Sequence, residues 1–370
     1  MITAPVRGSF AELKKRYPNA HVIDKYEALV HDLFLVRNPK FKFAPPSVEE
    51  VHGHFKKHTG GQSAETFGNW FYLPWRETLV HYLSAEEHQE LRTARNRELI
   101  TKAEQDIYSR ACVAIAGMSV GSHVAQVIAM TGGARHMKLA DPDVISGDNL
   151  NRIRAGFPAV GMPKAESVAQ ALWEADPYMV IDIFSDGVTA ANVGEFLSGV
   201  DILVEEMDNP YWKFRIREVA RERGIPVVMG TDNGDGVIVD IERFDVRRRT
   251  PLFNGLVGKM SAQELENMPP TDLPKVAARI AGADRAPLRM LDSVAEVGRS
   301  LYSWPQLGTA ANLCGTVVAY LARRIALKNK NIRSGRYQVD LDRIFETGHG
   351  RRWLNRKVGF IKFVRKMNKR

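Results

Sequence analysis

Cysteine is nearly absent from this 370-residue chain, which holds only Cys112 and Cys314. The two make no C-x-x-C pair, so neither a disulfide framework nor a structural zinc is implied. A reduced, cytoplasmic setting is the expectation. Also missing is any apolar run of the roughly 18 residues that a membrane span needs. The opening Met1-Ile2-Thr3-Ala4-Pro5-Val6-Arg7-Gly8 lacks the apolar centre of a secretion signal. Acids are missing from the end. After Glu346 come Arg351, Arg352, Arg356, Lys357, Lys362, Arg365, Lys366, Lys369 and Arg370, with no Asp or Glu among them. Without those nine, the basic residues equal the 43 acidic ones. The pI of about 9.5 therefore describes a tail and not a basic body. There is no internal repeat and no low-complexity tract. What remains is ordinary globular composition in a chain long enough for a sizeable core and two or three lobes.

Residues 1–90 read as a first, α+β region. Ile23, Tyr26, Leu29, Val30, Leu33 and Phe34 recur at helical spacing after Asp24, a candidate cap, and Phe43 to Pro46 breaks that helix. Asn69 to Leu73 reads as a strand ending at Pro74. Ser84 with Glu87, and Thr101 with Glu104, mark two helix starts by the capping-box spacing. From Cys112 the pattern alternates. Cys112–Ala116 is a short apolar run suited to a buried parallel strand. A turn over Gly117–Gly121 and a helix from Val120 to Met130 follow, then a strand at His136–Ala140. A helix is expected with Pro163 as its first residue. Further strands are expected near Val180–Phe184, Ile202–Glu205 and Pro226–Met229, and a helix from Tyr211 to Arg223 closed by Gly224. Such alternation implies a Rossmann-like, doubly wound α/β fold with a mostly parallel sheet over 91–245. Val237–Phe244 alternates apolar with charged and reads as a later antiparallel strand. Residues 246–304 read as a long, irregular crossover. Residues 305–370 read as a small-residue apolar helix, Leu307–Leu327, followed by the basic tail.

The chemistry-bearing residues lie in order along that α/β unit. Gly117-Met118-Ser119-Val120-Gly121 follows a strand and opens a helix, so its amides can point at a phosphate. Alone it equally fits a plain tight turn, since Ser119 stands where the dinucleotide fingerprint has its middle glycine. Asp141 ends the second strand, where an acid commonly accepts ribose hydroxyls. Asn149 and Arg152, three apart, share a face in one helical turn. Lys164 opens the next helix. Asp208 follows the strand Ile202–Glu205 at the edge where ligands of open α/β sheets bind. Singly each is a solvated surface charge. Together they supply what adenylyl transfer requires. Arg152 and Lys164 can neutralise charge at the α-phosphate and the leaving pyrophosphate, and Asp208 can hold Mg²⁺.

Gly117 to Asp143, Asp148-Asn149-Leu150-Asn151-Arg152, Gly161-Met162-Pro163-Lys164-Ala165 and Asp208-Asn209 resemble the ThiF/MoeB/HesA family, relatives of ubiquitin-activating enzymes. The resemblance covers about residues 92–245. It implies a Rossmann-like homodimer that binds ATP with Mg²⁺ and adenylates a carboxylate, mostly on a peptide or small protein. It assigns Gly117, Ser119, Gly121 and Asp141 to the nucleotide. It gives Asn149, Arg152 and Lys164 to the phosphates and Asp208 to Mg²⁺. It also places an arginine finger for the opposite subunit at Arg95, beside Asn96, with Arg97 as the fallback. Two departures matter. The two zinc-binding C-x-x-C pairs of many members are missing, and residues 209–313 hold no cysteine for a thioester relay. The acyl-adenylate is then expected to be attacked directly. That is similar to the branch that tailors ribosomal peptides, such as the microcin C7 and pantocin A enzymes.

Competing readings stand beside this one. An NAD-binding oxidoreductase explains Gly117 and Asp141 but leaves Asn149, Arg152 and Lys164 without a task. A tRNA-modifying dehydratase and a nucleotide-binding scaffold without turnover are the others. The tail suits an acidic peptide partner better than RNA or an anionic membrane, though all three attract a basic amphipathic segment; a solvated C-terminus is the bland alternative. His52, His54 and His58 read as surface histidines, since Lys56 and Lys57 flank them and no carboxylate completes a metal site. Trp70, Phe71, Tyr72 and Trp75 read as core.

Overall fold

The computed structural model describes residues 2–269, 272–347, 358–361 and 363–365, arranged around two sheets. The smaller holds β1 (Val6–Gly8), β2 (His21–Asp24), β3 (Asn69–Leu73) and β4 (Thr78–Tyr82) in the order β1-β3-β4-β2. The larger holds β5 (Cys112–Ala116), β6 (His136–Ala140), β7 (Val180–Phe184), β8 (Ile202–Glu205), β9 (Val227–Asn233), β10 (Gly236–Glu242) and β11 (Gly335–Val339). Its order is β11-β10-β9-β8-β5-β6-β7. Pairs β5–β6, β6–β7, β5–β8 and β8–β9 are parallel, while β9–β10 and β10–β11 are antiparallel. The α/β architecture expected from the alternation is the one observed.

β5 explains why the sequence shows an unbroken apolar run there. All five of its residues are buried. Val113 and Ile115 pack on one face with the helices Gly121–Met130, Lys164–Ala175 and Gly308–Ala326. Cys112, Ala114 and Ala116 pack on the other with Phe214, Ile216 and Phe253. A strand covered on both faces has no polar side to alternate with. The chain leaves β5 toward β6 and β7, then returns to place β8 on the opposite side of β5. The carboxyl ends of β5 and β8 thus flank the crevice where the winding reverses, the usual ligand position in such sheets.

The N-terminal lobe is fastened to the end of the helix Lys164–Ala175. Trp75 and Arg76 both donate to the Glu174 carboxylate, at 2.7 and 2.5 Å. Tyr178 donates to the Leu83 carbonyl at 2.6 Å and accepts from Asn69 at 2.8 Å. Arg92 pairs with buried Asp176 at 3.0 Å. The expected caps at Ser84 and Thr101 are present, each side chain accepting from the amide three residues on.

Several local readings change. Asp24 is one residue short of the cap position, which Lys25 occupies; its carboxylate accepts from the Tyr26 amide instead, at 2.9 Å. Pro163 precedes the helix Lys164–Ala175 and does not start it, because ψ of 130° keeps it extended and bridged to Val144. β9 runs on to Asn233, four residues beyond Met229, because β10 pairs along its whole length. Residues 246–304 carry the helices Ala262–Glu266, Leu273–Ala281 and Leu288–Val294. Leu252, Phe253, Leu265 and Ile280 bury against the sheet, which the prolines and polar residues around them hid. The small residues of Gly308–Ala326 serve packing within the chain. A Cβ on Gly315 would lie 3.0 Å from the His123 carbonyl carbon, and one on Gly308 would lie 2.7 Å from the Asn151 carbonyl oxygen. No helix among the described residues is long and apolar enough to cross a membrane. Of the nine basic residues after Glu346, all but Arg365 lie outside the described residues.

Candidate functional site

The site is built on the turn after β5. Gly117 has φ of +96°, a conformation that side chains rarely adopt. A Cβ there would also sit 2.6 Å from the Glu206 carbonyl carbon. Only glycine lets the turn press against the end of β8. Gly121 has a different reason. Its φ is ordinary, but a Cβ would lie 2.8 Å from Ile115 Cγ2, so it lets the helix Gly121–Met130 approach β5. That helix begins with its free amides facing the crevice, an electropositive end suited to phosphate.

Asp141 lies at the end of β6 and is 5% exposed. Its Oδ2 accepts from the Met118 amide at 2.6 Å and its Oδ1 from the Asp143 amide at 2.8 Å. It therefore ties the glycine turn to the neighbouring strand end, while its remaining lone pairs stay available to a ligand hydroxyl. Burial raises its carboxyl above the ordinary aspartate range, opposed by nearby Lys164 and the two amides. Lys164 opens its helix with Nζ 2.8 Å from Asp143 Oδ2 and 4.0 Å from Asp141 Oδ1. Its charge faces these carboxylates.

Asn149 and Arg152 come from the 3₁₀ turn Gly147–Asn151. Asn149 is 6% exposed and closes the turn on itself. Its Oδ1 accepts from the Ser146 amide at 3.3 Å, and its Nδ2 donates to Asp148 at 3.5 Å. The shared helical face with Arg152 is not formed, because Arg152 lies past the end of the turn with φ of −144°. Arg152 reaches back to the glycine turn, Nε donating to Ser119 Oγ at 3.3 Å. Its own carbonyl accepts from the Nε2 of buried His123, whose protonation burial disfavours. Asp208 is exposed three residues past β8. The preceding loop is held by Glu205, whose Oε1 accepts from the Met207 amide at 2.8 Å and from Lys213 at 3.1 Å. Thus Gly117, Ser119, Gly121, Asp141, Arg152, Lys164 and Asp208 all line the carboxyl edge of β5, β6 and β8.

Arg95 is elsewhere. It is exposed in the turn Ala94–Asn96, and Asn96 donates to the Thr131 carbonyl at 3.1 Å. Thr131 closes the far end of the ten-residue helix that begins at Gly121, about 15 Å from its start. Arg95 is therefore remote from the crevice of its own chain.

Among the described residues, no group of three or more His, Cys, Asp or Glu could hold a metal alone. A lone exposed Asp208 suits Mg²⁺ shared with phosphate oxygens, since that ion keeps one or two carboxylates and fills its octahedron from phosphate and water. Cys112 and Cys314 are both buried. Burial pushes the Cys112 thiol up to about 11 and the Cys314 thiol well above its ordinary value, so neither is poised as a nucleophile.

Three residues of the site carry no motif in the sequence. His123 supports the Arg152 backbone. Gln306 accepts through its carbonyl from Asn151 Nδ2 at 2.9 Å. Asp232 lies at the end of β9, buried among them. For Asp232 the available signal was its place in a turn-rich stretch, Thr231-Asp232-Asn233-Gly234-Asp235, just past an apolar strand.

A doubly wound sheet with a glycine turn where the winding reverses, and with Asp141, Arg152, Lys164 and Asp208 along its carboxyl edge, is an open α/β architecture with a crevice suited to a ligand. The chain belongs to the ThiF family, whose model matches residues 93–352. Over 344 residues it is 35% identical to the uncharacterized protein MT1398 of Mycobacterium tuberculosis, covering 90% of this chain and 48% of that protein. Over 144 residues it is 31% identical to the tRNA threonylcarbamoyladenosine dehydratase of Escherichia coli, covering 38% of this chain and 52% of that enzyme. The chain spans about half the length of the curated relatives it matches. Among solved structures, PaaA shares the fold with a TM-score of 0.51 at 17% identity, over 83% of this chain and 93% of PaaA.

Proposed function

We propose that this chain uses ATP and Mg²⁺ to adenylate a carboxylate on a peptide or small protein, and that the acyl-adenylate is then attacked directly. The reading is supported by the position of the Gly117 turn, Asp141, Arg152, Lys164 and Asp208 along the carboxyl edge of β5, β6 and β8, with Arg152 bonded to Ser119 and Lys164 facing Asp141. Hydride transfer leaves that charge set without a task. In this reading the turn amides and Asp141 bind the nucleotide. Arg152 and Lys164 stabilise negative charge as it moves onto pyrophosphate. Lys164 would leave Asp143 to do so. Asp208 would hold Mg²⁺, which supplies charge neutralisation at the phosphates. Direct attack follows from the burial of both cysteines. A peptide suits the crevice because Tyr302, Trp304 and Leu307 are exposed on the segment whose Ser303 reaches Asp148, at 3.4 Å. An acidic peptide would also be drawn by the basic tail.

The remote, exposed Arg95 supports a homodimer in which it completes the opposite crevice, with residues 1–90 as a docking and dimer-supporting lobe. The test is pyrophosphate exchange with ATP, Mg²⁺ and a panel of peptides bearing free carboxylates. Asp208→Ala should abolish exchange, and mixing Arg95→Ala with Lys164→Ala chains should regain it. Full exchange in Asp208→Ala removes the Mg²⁺ role. Proven mixing without regained activity removes the finger in trans. Dependence on tRNA in place of peptide moves the substrate to nucleic acid.

A further inference from the structure

Resting on that reading, we infer that Asp232 is the proton acceptor for the incoming nucleophile when it displaces AMP from the acyl-adenylate. The carboxyl is 6% exposed and lies at the carboxyl end of β9, the strand beside β8 and its Asp208 loop. Its Oδ2 accepts from Gln306 Nε2 at 3.4 Å, and its Oδ1 is buried without a hydrogen-bond partner. A buried carboxylate oxygen left unpaired is costly, so such an atom in a crevice marks a place for a ligand donor. The charged and titratable groups acting on it come from three other elements. Arg152 follows the 3₁₀ turn, Glu206 follows β8, and Cys314 lies on the helix Gly308–Ala326. Arg152 is also a proposed phosphate ligand, so this carboxyl and the nucleotide share a partner. Burial lifts the carboxyl to about 6, which suits a base working near neutrality.

The step balances without a further reactant. A nitrogen of the acceptor forms its bond to the acyl carbon with its lone pair. The acyl carbon–oxygen bond to AMP breaks, its electron pair leaving with AMP. The N–H proton passes to Asp232. No enzyme thiol takes part.

The first test needs only a nucleotide. The non-cleavable Mg²⁺ complex of α,β-methylene ATP is titrated calorimetrically into the full chain at pH 6.5, in two buffers of different ionisation heat. Negative charge arriving beside Asp232, with Arg152 drawn to the phosphates, raises its pKa by about one unit, so binding takes up about half a proton. Asp232→Asn should bind within about threefold of wild type and lose that uptake. Equal uptake in both chains, or none in either, overturns the role of Asp232 and leaves the nucleotide site standing. Absence of binding by both chains overturns the adenylation reading and this inference with it. The second test uses a peptide that supports pyrophosphate exchange. Asp232→Asn should keep exchange within about threefold, while product formation falls at least 30-fold and loses its acid limb near pH 6. Asp232→Glu should restore part of it. Hydroxylamine, which attacks acyl-adenylates without a base, should trap product equally from both chains. Loss of exchange in parallel with product would make Asp232 a structural group.

Discussion

Gly117→Ala separates a requirement of backbone shape from one of space, and Gly121→Ala is its control. At position 117 the new methyl meets two penalties. The φ of +96° lies outside the regions open to alanine, which costs about 1–2 kcal/mol. The Cβ would also stand 2.6 Å from the Glu206 carbonyl carbon, a backbone atom that cannot rotate away. Overpacking of that kind costs about 1–3 kcal/mol. The sum is roughly 2–5 kcal/mol. At position 121 the Cβ would lie 2.8 Å from Cγ2 of buried Ile115, so an overpacking cost of about 1–3 kcal/mol applies there too, but with no φ penalty. Alanine in place of glycine at this first helical residue returns at most about 0.5–1 kcal/mol, so the net cost there is roughly 0–2.5 kcal/mol. Urea unfolding of the three chains should show Gly117→Ala less stable than Gly121→Ala by about the 1–2 kcal/mol of backbone strain that only position 117 carries. Because relief of the clash pushes the turn away from Glu206, Gly117→Ala should also lose nucleotide binding. A Gly117→Ala chain as stable as Gly121→Ala and binding nucleotide normally would refute the account of this turn.

Arg217 is fully buried between Glu205 and Glu242, with the Phe253 ring 4.0 Å from its guanidinium carbon. Removing it in Arg217→Met takes the paired cation from buried Glu242 and leaves Glu205 with Lys213, and should cost about 3–5 kcal/mol, whereas Lys102→Ala in the exposed pair with Asp106 should cost under about 1 kcal/mol; equal effects in urea unfolding would contradict the burial argument. Asp232 is raised to about 6 in the folded chain, above the roughly 3.9 of an unfolded aspartate. Its contribution is therefore most favourable below pH 4 and is lost as pH rises through 6. Relative to Asp232→Asn, wild type should lose about 2–3 kcal/mol between pH 4 and 7, and parallel pH profiles for the two would refute it. Cys112→Ala with Cys314→Ala should keep pyrophosphate exchange and product formation after modest packing losses; a folded but inactive double variant would place a thiol in the reaction.

The sequence by itself determined the α/β unit and the order of the candidate residues along it. The run Cys112–Ala116 can bury both faces only inside a parallel sheet. Gly117, Asp141 and Asp208 follow strand ends, Arg152 follows a short turn and Lys164 opens a helix, an order that local patterns reveal. The cap at Ser84 and the capping box at Thr101 were readable because the chemistry of a cap spans only four residues. Only the tertiary structure decided the rest. Asn149 turned inward to close its own 3₁₀ turn, since that choice depends on hydrogen bonds to Ser146 and Asp148. The small residues of Gly308–Ala326 could have met another chain or their own, and the fold spent them on His123 and Asn151. Leu252, Phe253, Leu265 and Ile280 were concealed by short helices without periodicity long enough to read. In the sequence Asp232 is one acid in the turn-rich stretch 231–235. Its burial and its unpaired oxygen arise from β9, the 3₁₀ turn and the segment around Gln306. These are distant in sequence and meet only when the sheet closes, so no local pattern could announce them.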